Sequence, residues 1–225
     1  MQAPKFRQLQ ADLSVLRLGA LARSDHDPAH PRDVFAWHLF NAAIGEALYP
    51  ALQLLELAMR NRIDAALREW AGDAAWHRCE LPLTPGQASR LILTLKELSE
   101  RGQLNTPSAI ISRLPLGFWT AFFNKHHAQT GIGHHLAKRI FPHALPRDRD
   151  IRALDRRLTL VRTLRNRVFH HERLVHRPEL SDQHLALRQL IAGISPELDQ
   201  LARAMDRFEP LIRGGVEPWR QRVPA

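Results

Sequence analysis

The sequence predicts an all-α protein, and three observations carry that prediction. Leucine (35) and alanine (28) far outnumber valine, isoleucine and threonine together (25), so good helix formers abound and the β-branched supply for a large sheet is thin. Apolar positions recur in steps of three and four instead of two. Thr-Pro, Ser-Pro and Gly signals stand where helices would start and stop. With 225 residues, 44% hydrophobic and 24% charged, the chain can bury a core and is too apolar for disorder. No internal repeat, low-complexity tract or Gly/Ser linker divides it, so one all-α domain over residues 1–225 is expected.

The elements follow from the punctuation. An opening helix is predicted over Lys5 to Ala22, ended by the loop Ser24 to Pro31. A long helical region runs from Arg32 to Ala71, with Gly72-Asp73 as its stop. Pro50 lies inside it and removes a backbone donor, which predicts either two abutting helices or one kinked helix. Thr84-Pro85-Gly86-Gln87 offers a capping Thr, Pro at the first helical position and Gln at the third, so a helix runs from Pro85 to about Arg101 with Gly102 behind it. Thr106-Pro107 repeats the device. Phe118, Trp119, Phe122 and Phe123 recur at helical spacing and are assigned to core packing. A His-, Gly- and Pro-rich loop, Asn124 to Pro146, precedes a helix from Arg147 to about His170, and Ser181 and Ser195-Pro196 cap two more. The tail after Gly214 is expected to fray.

Charge and cysteine usage narrow the function classes. Lys plus Arg number 32 against 23 Asp plus Glu, a net charge of +9. Of those 32, 28 are arginine, the side chain suited to bidentate phosphate contact. A polyanion is therefore a reasonable partner, with arginine-rich coding bias as the alternative source of the charge. No stretch approaches the ~18 apolar residues that span a bilayer. The apolar segment Leu13 to Leu21 is interrupted by Arg17 and no cleavage site follows it, so a protein off the membrane and unexported is expected. The single Cys79 can form no internal disulfide, which fits a reducing cytoplasm, and it is read as a half-buried structural thiol.

The helix from Arg147 to His170 carries the chemistry. Ile151, Leu154, Leu158, Val161 and Val168 form a stripe expected to face a core or a subunit interface, and its pattern places Arg165 in the middle. A buried cation must be paired, so Arg165 calls for a carboxylate, a bound phosphate or a subunit contact. Asp155, Thr159, Arg162, Asn166 and His170 share a polar strip beside the stripe, with Asn166 and His170 one turn apart. Arg165 and His170 diverge by about 140° around the helix, so one helix converges poorly on one phosphate, and a twofold pair of helices would bring both sets together.

The segment Leu164-Arg165-Asn166-Arg167-Val168-Phe169-His170-His171-Glu172 resembles the R-N-x-x-x-H signature of the HEPN superfamily of helical RNA-cleaving proteins, in the form found in Abi-like (abortive-infection) proteins. Two further segments fit in the same order. Leu55-Glu56-Leu57-Ala58-Met59-Arg60-Asn61-Arg62-Ile63 resembles the Abi-like L-E-x-x-x-R-N-x-I stretch. Leu116-Gly117-Phe118-Trp119 resembles the F-G-F-W motif, with Leu116 in place of Phe. The likeness covers about residues 33–200; residues 1–32 and 215–225 match weakly.

The resemblance implies a HEPN-like helical bundle with additional helices, dimerising so that two R-N-x-x-x-H helices form a shared cleft in which RNA is cut without a metal or other cofactor. Arg165 would hold the scissile phosphate. His170 would act as general base on the 2′-hydroxyl or as general acid on the leaving 5′-oxygen, a role suited to a side chain whose ordinary pKa is about 6.5. Asn166 would orient the imidazole or contact phosphate. His171, Glu172 and Arg162 are accessory candidates. Arg60, Asn61 and Arg62 either extend RNA binding or, through an Arg60–Glu56 pair at i, i+4, stabilise the fold. A toxin-type effector would also have an antitoxin protein as partner. Two function classes remain: a metal-independent endoribonuclease, and a non-catalytic HEPN-like module that binds RNA, nucleotide or protein through the same cleft.

Other chemistry finds little footing. The 13 histidines include His126-His127, His134-His135 and His170-His171, but neighbours in sequence point to different sides of a helix, and His171-Glu172-Arg173-Leu174-Val175-His176 is one residue too long for the zinc-protease spacing. No metal site is expected. There is no G-x-S-x-G or P-loop pattern, and Gly131-Ile132-Gly133 is too short to cradle a phosphate.

Overall fold

The structure is a computed structural model that describes residues 4–14, 18, 21 and 31–223. Residues 24–30 of the predicted loop Ser24 to Pro31 and part of the predicted opening helix (15–17, 19, 20 and 22) lie outside the described residues, and Pro31 itself opens a helix. Among the described residues all regular structure is helical, and no helix is long and apolar enough to cross a membrane. The helices are α1 (Pro4–Leu13), α2 (Pro31–Ala71), α3 (Pro85–Glu100), α4 (Pro107–Arg113), α5 (Leu116–Thr120), α6 (Lys125–Gln129), α7 (Ile132–Ile140), α8 (Ile151–Phe169), α9 (Leu180–Ile194), α10 (Pro196–Met205), α11 (Phe208–Gly214) and α12 (Glu217–Arg220).

Capping chemistry sets the boundaries. At α3, Thr84 Oγ1 accepts from the Gln87 amide at 3.3 Å, and the Thr84 amide donates to Gln87 Oε1 at 3.1 Å. This reciprocal box satisfies two of the donors that a helix start leaves without partners. Thr106 caps α4 the same way, and the Asp150 carboxylate accepts from the Arg152 and Ala153 amides at the start of α8. Ser195 Oγ accepts from the Leu198 amide on α10. Pro50 does not divide α2, which continues through it as one helix of 41 residues. Ala47, Leu48, Ala51, Leu52 and Leu55 around it are all buried, and burial of that face outweighs one missing backbone bond.

The expected loop from Asn124 to Pro146 instead holds α6 and α7. Asn124 Oδ1 caps α6 by accepting from the His127 amide, Gly131 takes the left-handed φ of +80° between the two helices, and Ile132, Leu136 and Ile140 bury one face of α7. The helices are short enough for histidine and glycine content to mask the pattern. The tail does not fray before residue 223: α12 forms, Arg220 pairs with Asp33 at 3.0 Å, and Val223 is buried.

The chain divides into two compact units. The first comprises residues 1–50, 164–182 and 205–225. Its core gathers Phe6, Leu18, Phe35, Ala36 and Val223, flanked by Leu39, Val216 and Trp219, with the Phe6 and Phe35 rings stacked at 5.5 Å. The second comprises residues 51–163 and 183–204. Trp76, Phe118, Trp119, Phe122 and Phe123 are all buried there, and Trp76–Trp119 and Phe118–Trp119 meet edge-to-face, the arrangement that aromatic quadrupoles favour. The polar ends of this cluster are satisfied. Trp76 Nε1 donates to Asp64 at 2.7 Å, Trp119 Nε1 donates to the Leu114 carbonyl, and Gln87 Nε2 donates to the Phe118 carbonyl.

Candidate functional site

The first unit contains the last turns of α8 and the segment that follows. Ile151, Leu154, Leu158 and Val161 of α8 are buried as their spacing demands. The next buried position is Leu164, fully enclosed, and not Arg165. A helix of 3.6 residues per turn can continue its stripe by a step of three as well as four, and here the apolar side chain takes the enclosed place. Arg165 is half-buried beside it, and Val168 is half-buried as well. The Arg165 guanidinium carbon lies 4.3 Å from the centroid of the Phe169 ring, one turn along, a cation–π contact of roughly 0.5–2 kcal/mol.

Asn166, Phe169, His170, His171 and Glu172 are exposed. Asn166 and His170 sit one turn apart on the outward strip, as their spacing predicts, and the His170 amide closes the helix by donating to the Asn166 carbonyl at 2.9 Å. Arg167, the residue between Asn166 and Val168, points elsewhere: its guanidinium holds Glu179 at 2.7 Å. Glu179 is shifted below the ordinary carboxylate range, first by its own backbone N–H and then by Arg167.

The helix ends in a Schellman turn. The Glu172 amide donates to the Arg167 carbonyl and the His171 amide to the Val168 carbonyl, with His171 in the left-handed region at φ +55°. Glycine usually takes that position, and a side chain there costs about 1–2 kcal/mol. The next turn is fastened from α2. Asn41 Oδ1 accepts from the Leu174 amide at 2.7 Å and the Val175 amide at 3.1 Å, and Asn41 Nδ2 donates to the Glu172 carbonyl at 3.3 Å. Leu174 and Val175 are buried, so Asn41 satisfies amides that water does not reach. This clamp holds the chain directly after His170 and His171. Nothing in the sequence alone marked Asn41 beyond its being polar among the apolar neighbours Phe40, Ala43 and Ile44.

Also in this unit, the Tyr49 ring lies 5.6 Å from that of Phe169. Tyr49 is 45% and Phe169 39% exposed. Neither belongs to a motif that marks it as a site residue in the sequence.

The remaining candidates belong to the second unit. Arg162 is half-buried there. Arg60 donates to Glu56 at 2.8 Å, with both side chains only 16% exposed, and to the Ser112 carbonyl at 3.4 Å, so the i, i+4 pair of its fold-stabilising reading is present. Asn61 is exposed and Arg62 half-buried. Leu116, Phe118 and Trp119 are core. A cavity of about 220 Å³ lined by His143, Asp148, Arg157 and Gln189 among others is spanned by an Arg157–Asp148 ion pair of 2.6 Å. Among the described residues no group of three or more His, Cys, Asp and Glu side chains is placed to hold a metal. His127, fully buried, donates from Nδ1 to Asn124 Oδ1 at 3.0 Å, and burial pushes its imidazole down to about 4.

Arg165, Asn166, His170, His171 and Glu172 thus fall in one unit at one helix end, where a guanidinium lies over an aromatic ring beside an exposed amide and exposed imidazoles. No protein-family model matches the chain, and no curated protein or solved structure matches it.

Proposed function

We propose that this chain is a metal-independent endoribonuclease of the abortive-infection or toxin type, related to HEPN proteins and acting as a homodimer. The observation that carries the reading is the exposed Asn166–His170 strip at the end of α8, set beside Arg165 at 4.3 Å over Phe169. A guanidinium there can neutralise a phosphate, and an exposed imidazole one helical turn from an amide can transfer a proton.

In the proposed reaction the substrate's own 2′-oxygen attacks the adjacent phosphorus. One His170 removes the 2′-hydroxyl proton, the new P–O2′ bond forms, and the P–O5′ bond breaks as the partner chain's histidine protonates the leaving 5′-oxygen. Arg165 balances the charge that builds on the non-bridging oxygens. The products are a 2′,3′-cyclic phosphate and a 5′-hydroxyl. DNA lacks the nucleophile and survives. The dimer answers the divergence of Arg165 and His170 around one helix. RNA is the substrate, and an antitoxin protein would bind to silence the cleft.

An RNA-cleavage assay in chelator tests this. Wild type should cut RNA and leave DNA intact, and His170→Ala should cut about 10²–10⁴-fold more slowly. Wild-type cleavage that stops in chelator, or His170→Ala cutting at the wild-type rate, overturns the mechanism. RNA bound without cleavage points to the non-catalytic module. Sedimentation as a monomer at micromolar concentration removes the shared cleft.

A further inference from the structure

We infer that Tyr49 and Phe169 form a stacking subsite for an unpaired RNA base next to the Arg165–His170 segment, an inference that rests on RNA being the ligand of that segment. Tyr49 and Phe169 come from different helices, α2 and α8, and their rings meet at 5.6 Å and 36°. Large aromatic side chains left 45% and 39% exposed forgo a large part, a little under half, of the burial free energy that the enclosed rings of the second unit gain. They are also not isolated. The Arg165 guanidinium covers Phe169 at 4.3 Å, and Asn166 and His170 stand exposed within a turn of it.

The chemistry of the surroundings selects the occupant. An apolar protein segment laid over the two rings would bring its own backbone and side chains against Arg165, Asn166 and His170, a polar and basic rim that two rings are too small to offset. A single-stranded nucleic acid matches both parts: every base has a π-face for the rings, and the flanking phosphates are anionic. The Arg165 guanidinium over Phe169 places positive charge at the edge of the ring pair, which favours a ligand whose phosphates flank its bases. Paired bases are already stacked within a duplex, so the subsite favours single strands and loops.

Tyr49 is the only tyrosine in the chain, so full-length protein grown with 3-fluorotyrosine carries one ¹⁹F resonance at the subsite. The probe is a short single-stranded 2′-O-methyl oligoribonucleotide, which cannot be cleaved by 2′-oxygen attack. The resonance should move on adding the single strand and stay in place with the same strand in a duplex. In a binding titration Tyr49→Ala should weaken single-strand affinity roughly 5- to 100-fold, while Tyr49→Phe should stay within about twofold, since a phenyl ring also stacks. A resonance unmoved by the single strand overturns the proposal, as does Tyr49→Ala binding the single strand with wild-type affinity. Tyr49-dependent binding by a protein that cuts no RNA would leave the subsite standing and remove the nuclease; cleavage with Tyr49→Ala binding as wild type would do the reverse.

Discussion

Arg-Asn occurs twice on long helices of this chain, at Arg60-Asn61 in one unit and at Arg165-Asn166 in the other, and the two pairs sit in different surroundings. Arg60 is tied down by Glu56 at 2.8 Å and the Ser112 carbonyl at 3.4 Å, with 16% of its side chain exposed. Arg165 lies on an aromatic ring that is itself exposed, beside an outward Asn166 and His170. The same dipeptide is thus enclosed beside a carboxylate in one unit and stands at an exposed helix end in the other. A carboxylate stands four residues before the first arginine and an aromatic ring four residues after the second.

Substitution should separate the two arginines most widely in activity. Arg165→Ala should lower the RNA-cleavage rate by about 10²–10³-fold, the loss expected for one group that stabilises transition-state charge. Arg60→Ala should leave the rate near wild type but cost about 1–3 kcal/mol of stability by taking a guanidinium from Glu56. Steady-state kinetics beside urea denaturation checks both, and equal rate losses would put the pairs on the same footing.

Acid should act next most strongly, and on the unit that holds Arg60. Burial keeps the His127 imidazole at about 4 against an ordinary 6.5, so on acidification the unfolded chain binds this proton first. The stability is complete above about pH 6.5 and declines as pH falls toward 4, by about 3 kcal/mol in the limit. Denaturation midpoints measured between pH 7 and 4.5 should show the fall. In His127→Gln the slope should shrink to what His77 and His38, also lowered by burial, contribute.

The segment after Arg165 should respond to Asn41→Ala with a loss of about 1–3 kcal/mol, because two buried amides and a carbonyl lose their shared partner. Hydrogen exchange should quicken at Leu174 and Val175; unchanged protection there would show that the clamp does not hold the turn. The smallest effect belongs to His171→Gly. It should raise stability by about 0.5 kcal/mol, the relief of a left-handed side chain less the extra backbone entropy of glycine, and a thermal melt would detect it. If cleavage is unchanged, His171 is only a helix end; if it falls, His171 shares the chemistry with His170.

Much of this was legible in the sequence because it is local. Thr84 with Gln87, Thr106 and Ser195 cap helices through atoms three residues apart, and Ile151, Leu154, Leu158 and Val161 face inward through period alone. The exposed strip of Asn166 and His170 follows from the same period. Where it misled, a competing local choice was equally allowed: Leu164 and Arg165 both continue the stripe, and only the packing around α8 shows which one is enclosed. Likewise α6 and α7 are too short for periodicity to outweigh their histidines and glycines.

The helical class, the caps, the basic surplus and the outward Asn166–His170 strip were set by residue types and their spacing, since backbone geometry turns spacing into direction. Folding alone settled the rest. Asn41 reaches Leu174 across 133 residues of sequence, Tyr49 meets Phe169 from another helix, and Arg60 finds Ser112. Such pairings depend on which surfaces bury together, a property of the whole chain that no short pattern encodes.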